Sequence, residues 1–272
     1  MRPCCVFKTT GCPRPVAVQA GDPQHTREKR SDHLKGLILA GGKGTRLFPL
    51  TRRVPRCLIP IQDRPVIHRP ILLMKSAGIV DIVVNTHYHS KRVCDYLGTG
   101  EKLGVNISYS HEDALHGIGA AVRKAQPLLG DEPFVVMNGD VLADIDLSDV
   151  LTYHTDQHAD ATLVIRPERE ARVHGPLDFD TDVSLSALLG EDPVEGSFLH
   201  PAGIRVLSPR VFEFLSTGTC FLGETFARMV GAGCHLEGYL SDGYWADLRC
   251  WEKYGHILWE IGRGFVPEAP VS

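Results

Sequence analysis

The amino-acid sequence predicts an α/β protein with a mostly parallel, Rossmann-like sheet and helices on both of its faces. From Lys35 onward, short apolar runs that suit buried strands alternate with longer segments that have the apolar spacing of a helix. Several of the helical segments end at a glycine, as at Gly78, Gly98 and Gly130, and glycine commonly ends a helix. This repetition predicts βα units, whose ligands bind at the carboxyl ends of the strands.

The individual elements follow from the same signals. Apolar and β-branched residues predict strands at Leu37–Leu39, Ile79–Asn85, Val105–Ser110, Phe134–Met137, Ala161–Arg166 and His235–Leu240. Helical spacing predicts helices at Val66–Ala77, Ser90–Leu97, Ile118–Leu129, Leu147–His158, Arg210–Leu215, Glu224–Gly231 and Trp251–Ile261. Asp146 or Ser148 is available to cap the fourth of these helices.

Two parts of the chain depart from this pattern. Between Val173 and Leu207 the helical spacing disappears, and short alternating runs predict a smaller antiparallel insertion that covers one edge of the sheet. Residues 1–33 are rich in proline and basic residues and contain no acid before Asp22. We therefore expect a disordered extension over 1–33 and a single domain over 34–272.

Composition argues against several classes of function. The net charge of −4 gives no electrostatic footprint for nucleic acid. No apolar run approaches the roughly 18 residues that a membrane-spanning helix needs. The eight cysteines contain no CxxC pair, which favours reduced thiols in a cytoplasmic protein over a zinc site.

A glycine-rich loop follows the first strand. Glycine backbones permit positive φ angles and close approach, so their N–H groups can bind a phosphate chain. The spacing fits neither a Walker loop nor the GxGxxG dinucleotide fingerprint. Arg46 adds a planar, permanently charged group for phosphate oxygens. The residues predicted here to bind a nucleotide are Leu39, Ala40, Gly41, Gly42, Gly44 and Thr45.

The loop and the residues after it resemble the signature of the sugar-1-phosphate nucleotidyltransferases. That signature, GGxGTRLxPLT followed by a PKPLxP-like block, stands here as GGKGTRLFPLT and PRCLIP, with Arg56 in place of the usual lysine. The resemblance covers residues 35 to about 258 and implies the nucleotide-diphospho-sugar transferase fold. It also implies a short form, since no hexapeptide-repeat β-helix follows, and makes the region 173–207 a sugar-binding insertion.

The resemblance assigns roles to several residues. Asp140, after a buried strand in VMNGDV, and Asp247, in GYWAD, would bind Mg²⁺ through carboxylate oxygens. Arg46 would hold the leaving pyrophosphate, and Arg56 would lie beside the α-phosphate. The remaining assignments are Glu112 and Gly117 for the nucleotide, near the base-binding turn LHGIGAA, and Gly175 and Glu191 for the sugar phosphate.

The implied reaction transfers a nucleoside monophosphate from an NTP to a sugar 1-phosphate. The resemblance is also compatible with a homo-oligomer. Two further departures leave alternatives open, since Asp192 stands for a phosphate-binding lysine and Arg249 for a glycine. One alternative is a catalytically weakened homologue that binds a nucleotide or nucleotide-sugar as a regulatory subunit. A second is a nucleotidyltransferase for a non-sugar phosphate alcohol, against which the PLT block argues.

Overall fold

The computed structural model describes residues 34–168 and 198–266. The helices in these ranges are α1 (His68–Ser76), α2 (Ser90–Leu97), α3 (Ile118–Leu129), α4 (Leu147–Asp156), α5 (Leu222–Gly231) and α6 (Trp251–Gly262). The strands are β1 (Lys35–Leu39), β2 (Pro60–Ile61), β3 (Arg64–Pro65), β4 (Asp81–Thr86), β5 (Asn106–His111), β6 (Phe134–Asn138), β7 (Val141–Ala143), β8 (Ala161–Glu168), β9 (Phe198–Leu207), β10 (Leu236–Leu240) and β11 (Trp245–Asp247). The predicted alternation of strands and helices is confirmed.

The main sheet has the strand order β10-β8-β9-β6-β1-β4-β5. β1 lies in its interior and pairs in parallel with β4 and β6, and β4 pairs in parallel with β5. β9 pairs antiparallel with both β6 and β8, and β10 runs parallel to β8. The carboxyl ends of β1, β4 and β6 therefore meet at one edge.

Two apolar layers cover the faces of this sheet. Successive side chains of a strand point to opposite faces, so Leu37 and Ile38 of β1 enter different layers. Leu37 packs with buried residues of α3 and α5, whereas Ile38 packs with those of α1, α2 and α4. The predicted placement of helices on both faces is confirmed.

Strand β9 differs in its position from the sequence-based expectation. The strand pairs antiparallel with its neighbours, as expected. It lies inside the main sheet, however, whereas we expected this segment to cover an edge of the sheet. An alternating apolar run specifies that a strand forms but does not specify its partners. The segment expected to be helical at 210–215 forms a 3₁₀ turn, Pro209–Glu213.

A third apolar cluster supports the loop that follows β1. It joins Leu47 and Ile59 to Leu142, Ala246 and Leu248, which lie on or next to the antiparallel pair β7–β11. The glycine-rich segment and this two-stranded ribbon therefore share one apolar base. Among residues 34–168 and 198–266, no helix combines the length and hydrophobicity that crossing a bilayer requires. The predicted extension over 1–33 lies outside the described residues.

Candidate active site

The glycine loop, Ala40 to Gly44, continues β1 at the carboxyl edge of the sheet. The N–H of Ala40 donates to the carbonyl of Asn85 (3.0 Å), which places the start of the loop against β4. A Cβ on Gly41 would lie 3.0 Å from Oδ1 of Asn85, so a larger residue has little room there. Gly44 has φ of 61°, a left-handed conformation that glycine adopts without strain. Its carbonyl accepts a hydrogen bond from the hydroxyl of Thr51 (2.8 Å).

Arg56 connects this loop to the first of the predicted metal ligands. Its Nε lies 3.2 Å from Oδ2 of Asp140. A Cβ added to Gly42 would lie 3.2 Å from the Nη2 atom of Arg56, so the guanidinium packs directly against the loop. The cation therefore lies between the backbone predicted to bind phosphates and a buried carboxylate.

Asp140 and Asp247 are brought together by the ribbon of β7 and β11. Asp247 pairs with Val141 in the antiparallel register, and the N–H of Leu248 donates to the carbonyl of Asp140 (3.1 Å). Both aspartates are buried, with 5% and 7% of their surfaces exposed. Trp245 anchors β11 to β9, since its Nε1 donates to the carbonyl of Ala202 (2.8 Å). The sequence did not predict this ribbon.

Asp247 is held by Arg249. The Nη2 and Nε atoms of Arg249 both donate to Oδ2 of Asp247, at 2.7 and 2.9 Å. Oδ1 of Asp247 is buried and accepts no hydrogen bond from the described residues. Burial raises the pKa of the Asp247 carboxyl; Arg249 opposes this shift and the charge of Asp140 adds to it.

These two carboxylates provide some, but not all, of the oxygen ligands that a hard divalent cation requires. A buried, unpaired carboxylate oxygen such as Oδ1 of Asp247 is the type of atom that Mg²⁺ prefers. Within the described ranges, no group of three or more His, Cys, Asp or Glu side chains is arranged for a metal ion. A cation held by Asp140 and Asp247 would therefore need further oxygens from substrate phosphates or water.

The remaining predicted residues lie around this centre. Arg46 is exposed in the 3₁₀ turn Thr45–Leu47, directly after the glycine loop. Glu112 is buried and its Oε2 accepts a hydrogen bond from Nδ2 of Asn85 (2.9 Å), next to the loop. Gly117 precedes α3 with φ of 88°. Gly175, Glu191 and Asp192 lie outside the described residues.

A cavity of about 70 Å³ lies at the start of β9 beside the ribbon. Asn138, His200, Arg205 and Arg249 contribute its polar lining. Burial, together with the charge of Arg249, lowers the pKa of His200 to about 3, so this imidazole is neutral. Of this polar lining, only Arg249 was singled out from the sequence; Arg205 was missed, and its signal is a charged residue inside the apolar run AGIRVL.

Comparison with known proteins identifies similar chains. The family model described as nucleotidyl transferase matches residues 35–261. A mannose-1-phosphate guanyltransferase of Yarrowia lipolytica is 33% identical over 221 residues, covering 79% of this chain and 60% of the relative. An N-acetylmuramate alpha-1-phosphate uridylyltransferase of Neisseria meningitidis serogroup B is 32% identical over 219 residues, covering 79% of this chain and 93% of the relative.

The fold is also found among solved structures. The UDP-glucose pyrophosphorylase from Acinetobacter baumanii superposes with a TM-score of 0.69 at 21% identity, covering 87% of this chain and 95% of that chain. At this identity the likeness shows the fold alone. The chain spans about three fifths of the length of the Yarrowia guanyltransferase that it matches.

Proposed function

Because the chain belongs to the nucleotidyl transferase family, we propose that it transfers a nucleoside monophosphate from an NTP to a sugar 1-phosphate and releases pyrophosphate. The observation that carries this proposal is the guanidinium of Arg56, which lies between the glycine loop and the buried carboxylate of Asp140. A triphosphate bound to the loop would have this cation beside its reacting phosphates. The names of the relatives, which include mannose 1-phosphate and N-acetylmuramate alpha-1-phosphate, support a sugar 1-phosphate as the acceptor.

The chemistry requires positioning and charge stabilisation rather than a general base. A phosphate monoester with a second pKa of about 6 is already mostly ionised at neutral pH. One of its oxygens attacks the α-phosphorus of the NTP in line, a bond to the α-phosphorus forms, and the bond to the β-phosphate oxygen breaks. Holding both substrates in line is therefore the main task of the protein.

Each charged residue has a proposed part in this step. Arg56 stabilises the negative charge that develops around the α-phosphorus. Arg46, exposed at the rim of the loop, binds the pyrophosphate as it leaves. Asp140 and Asp247 would hold Mg²⁺, which when bound neutralises charge on phosphate oxygens.

The nucleotide itself would lie along the start of the loop. The predicted contacts are the backbone around Leu39, Ala40, Gly41, Gly42, Gly44 and Thr45. Glu112 and Gly117 would lie beside the nucleobase. The buried hydrogen bond between Asn85 and Glu112 supports this placement, because it holds Glu112 next to the loop. Gly175 and Glu191 stay predictions for the sugar phosphate.

The direct test measures pyrophosphate release with a matrix of NTPs and sugar 1-phosphates, starting with GTP and mannose 1-phosphate. Release with at least one pair, and its loss in Asp140→Asn, would support the proposal. Binding of nucleotide without release from any pair would refute it and favour a regulatory binding subunit. A homo-oligomer and a cytoplasmic location also stay predictions, which light scattering and cell fractionation would test.

A further inference from the structure

Two acid–arginine pairs lie side by side at the proposed metal site. Arg56 lies 3.2 Å from Asp140, and Arg249 lies 2.7 Å from Asp247. The register of β7 and β11 places these two aspartates next to each other. Two negative charges are therefore matched by two positive charges before any substrate or cation is present.

The pair formed by Arg249 has an unusual division of contacts. A guanidinium that faces a carboxylate commonly binds both of its oxygens. Here the Nε and Nη2 groups of Arg249 both donate to Oδ2 of Asp247, and Nη2 also lies 3.4 Å from Nε2 of His200. Oδ1 of Asp247 accepts no hydrogen bond from the described residues. Arg249 therefore fixes the orientation of Asp247 and leaves one buried oxygen for another partner.

Burial makes this arrangement electrostatically significant. The side chain of Arg249 is 25% exposed and that of Asp247 is 10% exposed, so water screens their charges only in part. A carboxylate buried without a counter-charge is strongly unfavourable. Arg249 offsets part of that penalty in the substrate-free protein, but its charge also repels a cation that approaches Oδ1.

We propose that Arg249 is a resident counter-ion that positions Asp247 and weakens the affinity of the substrate-free protein for a divalent cation. The cation then binds well only with a triphosphate, whose negative charge offsets the arginine. This inference rests on the proposed function for the location of the metal site. It concerns cation affinity, however, and not turnover.

The test measures Mn²⁺ binding to the substrate-free protein by electron paramagnetic resonance. Arg249→Gly and Arg249→Gln should each tighten Mn²⁺ binding at least about tenfold, because the repelling charge is removed. Arg249→Lys keeps the charge and should stay near the wild-type affinity. Arg92→Gln removes an exposed arginine on α2 and is the matched control, which should not change the affinity.

A second measurement adds a non-hydrolysable NTP analogue. The wild-type protein should gain at least about tenfold in Mn²⁺ affinity, whereas Arg249→Gly should gain clearly less. Unchanged or weaker Mn²⁺ binding in the folded Gly or Gln variant would overturn the proposal and leave Arg249 a structural role only. If Arg249→Gly does not fold by circular dichroism, the Gln and Lys variants decide the question.

The inference and the proposed function can fail separately. Pyrophosphate release with unchanged Mn²⁺ affinity in the variants would refute the inference alone. Tighter Mn²⁺ binding without release from any substrate pair would support the inference and refute the proposed reaction.

Discussion

Replacing Arg56 tests the proposed catalytic centre most directly. Arg56→Ala removes the guanidinium that contacts the glycine loop and lies 3.2 Å from Asp140. Loss of one charged contact to a developing transition-state charge typically costs roughly 10²–10³ in rate. We therefore expect a fall of about 10²-fold or more in kcat, which corresponds to about 2.7 kcal/mol of activation free energy.

The same substitution should have a smaller effect on folding. The side chain of Asp140 is 7% exposed, so it would lose its described counter-charge in a mostly buried setting. The side chain of Arg56 is 28% exposed, so part of the pair is screened by water. We expect the free energy of unfolding to fall by about 1–2 kcal/mol, below the 3–5 kcal/mol typical of a fully buried pair.

Arg56→Lys separates charge from shape. Lysine keeps the positive charge but has a compact head, so it cannot both pair with Asp140 and fill the space beside Gly42 as the planar group does. We expect turnover within about tenfold of the wild type. Arg64→Ala, at an exposed arginine on β3, is the control and should leave the rate unchanged.

The assay is steady-state pyrophosphate release by the four proteins, with nucleotide binding measured in parallel by calorimetry. Chemical denaturation of each protein separates a catalytic loss from unfolding. Equal rates for the wild type and a folded Arg56→Ala variant would refute the role assigned to Arg56.

Three further predictions concern buried groups. Asp140→Asn and Asp247→Asn should each lower Mg²⁺-dependent turnover at least about 10²-fold while the circular dichroism spectrum stays native, and near-normal turnover would remove that aspartate from the site. The pKa of His200 is about 3, below its ordinary value of 6.5, so the unfolded chain binds the extra proton and stability falls as the pH drops below 6.5. In urea denaturation, the free energy of unfolding of the wild type should fall by about 2 kcal/mol more between pH 7 and pH 5 than that of His200→Gln. The variant His256→Gln, at an exposed histidine, is the control and should behave like the wild type. An equal fall in the wild type and His200→Gln would contradict the prediction. Burial raises the pKa of the Cys57 thiol to about 12, so very little reactive thiolate is present at pH 8. Iodoacetamide at pH 8 should therefore label Cys57 at least about tenfold more slowly in the native protein than in the urea-unfolded protein. Peptide mass mapping measures the two labelling rates.

The sequence predicted the elements whose signals are local. The bounds of α2 and α3 agree with the predicted ranges because each helix has regular apolar spacing and a glycine directly after it, at Gly98 and Gly130. Asp146 caps α4 as expected, since its Oδ1 accepts from the N–H of Ser148 (2.8 Å). Helix bounds and caps that depend only on nearby residues in the chain could therefore be assigned without a structure.

The sequence did not predict what depends on long-range pairing. β7 and β11 are three residues each, too short to give an alternating pattern, and they pair across about a hundred residues of chain. The interior position of β9 is likewise decided by its partners β6 and β8. The resemblance named Asp140 and Asp247 as one site, but only the ribbon explains how they meet.

The charge balance of the site follows from contacts that the sequence could not reveal. Arg56 and Arg249 were visible only as departures from a family pattern, one for a lysine and one for a glycine. In the structure each departure contacts one of the two buried aspartates. Since a buried carboxylate without a counter-charge is strongly unfavourable, the two arginines stabilise the folded site in the absence of a cation. On the proposal made above, the same contacts would oppose cation binding, and the negative charge of the substrate phosphates would take part in it.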